Sequence, residues 1–70
     1  MQLHIEILYD RERIRTLLQE RGWRLAPASG AARYAATHPT ARDQTIARDY
    51  LNAAGLLTSS ALRVEFDPQT

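Results

Sequence analysis

Leu3, Ile5, Ile7 and Tyr9 alternate with His4, Glu6 and Leu8 at the start of the chain. A period of two with β-branched residues predicts a strand over residues 2–9 with one buried face. The period then changes. Ile14, Leu17 and Leu18 form a stripe at helical spacing, with Arg11, Glu12, Arg15, Gln19 and Glu20 facing water. Asp10 stands at the N-cap position of that helix, and Tyr9 and Ile14 occupy the two positions of a hydrophobic staple. Gly22 suits the left-handed residue after the last turn, with Trp23 packing back on Leu18.

Residues 23–26 alternate briefly, and Pro27-Ala28-Ser29-Gly30 carries turn chemistry. Residues 32–37, around Tyr34, read as the second arm of a hairpin, although alanine is depleted in strands. The alternative leaves 23–31 as irregular loop. His38-Pro39 ends this segment, because a residue before proline is pushed toward extended conformations. Thr40 is expected to cap a second helix, with Asp43 completing a capping box. Ile46, Ala47, Tyr50, Leu51 and Ala54 line its inner side, and Arg42, Thr45, Asp49 and Asn52 its outer side. Gly55 and Leu56 repeat the helix end of Gly22 and Trp23. After the polar Thr58-Ser59-Ser60, Leu62, Val64 and Phe66 alternate with Arg63, Glu65 and Asp67. That pattern predicts a last strand over 61–67, closed by Pro68, with the final residues frayed.

The expected fold class is α+β: one ferredoxin-like β-α-β-β-α-β domain over residues 1–70, with sheet order 4-1-3-2. The sheet has four strands, or three if 23–31 is loop, and both helices pack on one face. The first and third strands are expected as parallel neighbours. An architecture of this kind hosts many functions and selects none.

Composition narrows the picture. A chain of 70 residues buries only about 60% of the surface its unfolded form exposes. It has no cysteine, so neither a disulfide nor a thiolate metal site braces the core. Apolar packing must suffice, or self-association must complete it. Leu56 and Leu57 are expected to be only partly covered. The formal charge is +1, and all nine basic residues are arginine. The guanidinium fork suits carboxylates and phosphates, but a GC-rich coding sequence, bacterial or phage, explains the arginine and alanine usage as well. No signal peptide or membrane-spanning stretch is read here, so a cytoplasmic protein is expected.

Candidate chemistry is sparse. His4 and Glu6 share one strand face, but two ligands do not complete a metal site. His38 is expected several residues of strand away, and both rings read as solvated surface groups. Ser29, Ser59 and Ser60 lie in turns with no histidine expected beside them, so no nucleophile is assembled. Glu6 and Glu65 would form a carboxylate pair, but neutralisation by Arg33 and Arg63 across strands is the simpler reading. No glycine-rich phosphate cradle is present. No catalytic, cofactor-binding or metal residues are assigned, and no cofactor.

Two surfaces remain. Arg24, Arg33 and Arg63 are expected on the open sheet face, with Arg11, Arg13 and Arg15 on the first helix. A nucleic-acid-binding accessory protein would use them, but the open face offers no aromatic on which bases stack, and Glu6, Glu65 and Asp67 repel phosphate. The favoured expectation is a small non-catalytic protein-interaction module of inhibitor or adaptor type. It would bind a partner protein, or a second copy as a homodimer, through Leu8, Arg33, Arg63, Glu65, Arg11 and Arg15. No membrane or small-molecule partner is expected.

Overall fold

The structure is a computed structural model that describes residues 2–28, 30 and 32–66. Its elements are β1 (Gln2–Ile7), α1 (Arg11–Glu20), β2 (Arg24–Pro27), β3 (Arg33–Thr37), α2 (Gln44–Ala53) and β4 (Leu62–Glu65). This is an α+β fold with one four-stranded sheet in the order β2-β3-β1-β4, antiparallel throughout.

The three-stranded alternative fails because Arg24–Pro27 pairs with β3 from Arg24↔Thr37 to Pro27↔Tyr34. Proline is tolerated there because β2 is an edge strand, where a missing backbone donor leaves no ladder bond unmade. The expected parallel pairing of β1 and β3 is also overturned: Leu3 faces Ala36 and Ile5 faces Tyr34 in an antiparallel ladder. The reason is topological. The hairpin reverses β3 relative to β2, and β2 runs with β1.

Burial divides the sheet cleanly. Leu3, Ile5, Ile7, Tyr34, Ala36 and Leu62 are buried, and the register sets them on one face. Ile14 and Leu18 of α1, with Ala47 and Leu51 of α2, join the same cluster. Both helices therefore cover one face of the sheet. Ala36, Ala41, Ala47 and Ala61 are buried too, small enough to let helices and strands approach closely.

Both helices end as the glycines imply. Trp23 N–H donates to the carbonyl of Leu18 at 3.0 Å and Gly22 N–H to that of Gln19 at 3.1 Å. At α2, Leu56 N–H donates to Leu51 at 2.9 Å and Gly55 N–H to Asn52 at 3.0 Å. These are paired Schellman bonds. They pull Leu56 into the core, 2% exposed, rather than leaving it partly covered.

The helix starts differ from expectation. Asp10 occupies the N-cap of α1 with φ 55°, and its side chain makes no cap bond. It bonds Arg13 instead, at 3.3 Å. Tyr9 is 52% exposed, its hydroxyl hydrogen-bonded to Ser60 Oγ, so it neither extends the buried strand face nor staples Ile14. β1 stops at Ile7, and the left-handed turn at Asp10 swings Tyr9 outward. At α2 the cap is Asp43, whose Oδ1 accepts from Ile46 N–H at 3.0 Å. Thr40 lies before the helix and does not cap it; its hydroxyl meets Tyr50 and His38. Ser29, Asp67 and Pro68 lie outside the described residues, as do the residues expected to fray.

Candidate interaction surface

The side of the sheet away from the helices is built from the alternate residues of each strand. Glu6 stands at its centre, opposite Arg33 on β3 and Arg63 on β4. Two residues along, His4 stands opposite Ala35 and Glu65, and Ala26 on β2 faces Ala35. The next row holds Gln2, Thr37 and Arg24. A two-residue period with one face already buried forces every one of these side chains outward.

Two charged rows result. Arg33–Glu6–Arg63 alternates plus, minus, plus, and Ala35–His4–Glu65 carries a carboxylate at its β4 end. Arg63 Nη1 lies 3.8 Å from Glu6 Oε1, with the Glu6 side chain 28% exposed and the Arg63 side chain 66%. The cross-strand neutralisation read from sequence is thus present for Glu6. Glu6 and Glu65 share the face but sit on a diagonal, each directly opposite a different residue. His4, Glu6, Arg33, Arg63 and Glu65 line a shallow depression of about 320 Å³.

The other expected contact residues are dispersed. Leu8 is 49% exposed just past the end of β1, where its N–H donates to the Ala61 carbonyl at 2.7 Å. Arg11 is exposed at the start of α1. Arg15 is half-buried, with its guanidinium carbon 5.8 Å from the Tyr34 ring centre. Arg13 is engaged with Asp10. The helix arginines therefore do not form one patch with the sheet arginines.

His38 corrects the sequence reading most sharply. It is a half-buried, packed group rather than a freely solvated one: its ring lies against Trp23 at 5.2 Å and Tyr50 at 4.8 Å between centroids. Nε2 donates to the Arg21 carbonyl at 2.9 Å, because a carbonyl only accepts. Nδ1 then accepts from Thr40 N–H at 3.2 Å. His38 rivets the β3–α2 connection to the end of α1, on the helix side of the sheet, whereas His4 is exposed on the open side. The sheet separates the rings, a different reason from the distance expected along parallel strands. A cavity of about 220 Å³ beside Trp23, His38 and Tyr50 is part of this joint. Nothing in sequence joins residues 23, 38 and 50; their meeting depends on both helix ends.

Among the described residues, no group of three or more His, Asp or Glu could hold a metal ion. No helix among them is long and apolar enough to cross a membrane. No family model, curated protein or solved structure matches the chain, so the functional reading rests on its own geometry.

Proposed function

We propose that this chain is a small non-catalytic protein-interaction module of inhibitor or adaptor type, docking on a partner protein through the open sheet face. The observation that carries this reading is the uncovered pair of rows, Arg33–Glu6–Arg63 and Ala35–His4–Glu65. Alternating charge at side-chain spacing, over small residues, is complementary to another protein surface, which offers both signs. A nucleic acid offers one sign. Glu6 at the centre and Glu65 at the edge oppose phosphate, and the described open-face positions carry no aromatic for base stacking.

The architecture supports a ferredoxin-like assignment. Read from β4, the strand order is 4-1-3-2. α1 joins β1 to β2 across β3, and α2 joins β3 to β4 across β1, so the chain makes two split β-α-β units.

The test is affinity capture from the source cell with the natural chain, an Arg33→Glu/Arg63→Glu variant and an Arg42→Glu control. The reading expects a protein that co-elutes with the natural chain and the control but not with the face variant. Capture unchanged by the face variant, or capture only of nuclease-sensitive material, overturns it.

A further inference from the structure

Resting on that docking role, we infer that the occupant of the open face is a second copy of this chain. The two copies are related by a two-fold axis lying across the strands, between the Glu6 row and the His4 row. About such an axis each strand faces its own counterpart and the two rows exchange, as an isologous contact requires. Arg63 then meets Glu65 of the second copy and Glu65 meets Arg63. Glu6 and His4 exchange in the same way, carboxylate against imidazole. Arg33 meets Ala35, whose methyl leaves room for the longer side chain.

Two other two-fold placements fail on charge. An axis along the strands through β1 sets Arg33 on Arg63 and Glu6 on Glu6. An axis lying in the Glu6 row sets Arg63 on Arg63. Each juxtaposes like charges, which suppresses pairing. The face is self-complementary in the register set by the axis between the two rows. That register follows from the pairings His4↔Glu65 and Glu6↔Arg63.

Size sets the strength. Strands about 4.8 Å apart, rising about 3.3 Å per residue, give this face on the order of 300 Å² in projection. A stable interface of standard size buries about 800 Å² per partner. The dimer is accordingly weak and held by its charges, with dissociation in the range of tens to hundreds of micromolar.

Sedimentation equilibrium of the full chain tests this. From about 10 µM to about 1 mM, the natural chain should pass reversibly from monomer to dimer. Raising salt from about 0.05 M to about 0.5 M should weaken the dimer roughly tenfold through screening. Arg63→Glu and Glu65→Arg should each weaken self-association at least about tenfold. Mixed together, these two variants should form a heterodimer, because two carboxylates then face two guanidiniums. Unchanged thermal midpoints show that both variants fold. A natural chain that stays monomeric at about 1 mM, or a mixture that fails to pair, overturns the inference. If the natural chain is monomeric but its captured partner is still lost on Arg33→Glu/Arg63→Glu, only self-pairing fails and the docking role stands. If that variant retains the partner as well, the role fails with it.

Discussion

The backbone at Gly22 runs so close to His38 that a β-carbon there would lie 2.8 Å from Nε2. That contact couples the end of α1 to the start of the β3–α2 connection, because the same nitrogen donates to the Arg21 carbonyl. Gly22 is required twice over, for its φ of 95° and for the space it leaves.

Gly55 separates these two requirements. Its φ is 73°, but a β-carbon there meets nothing within 4 Å. Gly55→Ala should cost only the left-handed strain, about 1 kcal/mol. Gly22→Ala should cost about 2–3 kcal/mol, since the histidine must also give up its place. Urea unfolding of the two variants measures the gap. Equal costs would mean that His38 yields freely and is no rivet.

Tyr50 and Thr40 share a hydroxyl–hydroxyl bond of 2.9 Å beside that histidine. Tyr50→Phe keeps the ring on His38 and removes the bond. A loss of about 1 kcal/mol is expected by urea unfolding. No loss would show that the hydroxyl pair contributes nothing to the joint.

The two aspartates at the helix starts should behave oppositely. Asp43→Ala removes a real cap bond to Ile46 N–H and should cost about 1 kcal/mol. Asp10→Gly removes no cap bond and relieves a φ of 55°, so it should be neutral or stabilising by up to about 1 kcal/mol. Thermal midpoints in opposite directions bear this out; a cost at Asp10 matching that at Asp43 would contradict it.

Local chemistry was legible in the sequence where the cause is local. The β1 alternation as far as Ile7, the apolar stripes of α1 and α2 and the glycine-ended helices needed only residues a few positions apart, and the structure carries them. Asp10 and Tyr9 were misread because cap and staple positions do not reveal a left-handed backbone, which decides where both side chains go. Thr40 was misread because His38 and Tyr50 draw its hydroxyl away. The open face was half legible. Parity placed Glu6, Glu65, Arg33 and Arg63 on one side, but which carboxylate meets which arginine depends on a register set by packing of the opposite face. The joint of Trp23, His38 and Tyr50 was not legible, because it exists only once both helices are docked.

The proposed docking role makes the open sheet face the surface on which a partner sits. Amide chemical shifts recorded while the full chain is diluted from about 1 mM to about 10 µM test it directly, spanning the expected weak association. Shifts should move at Glu6, Arg33, Arg63 and Glu65 and stay still along α1 and α2. Movement confined to Leu8, Tyr9 and α1, or none at any concentration together with capture that ignores Arg33 and Arg63, would contradict it.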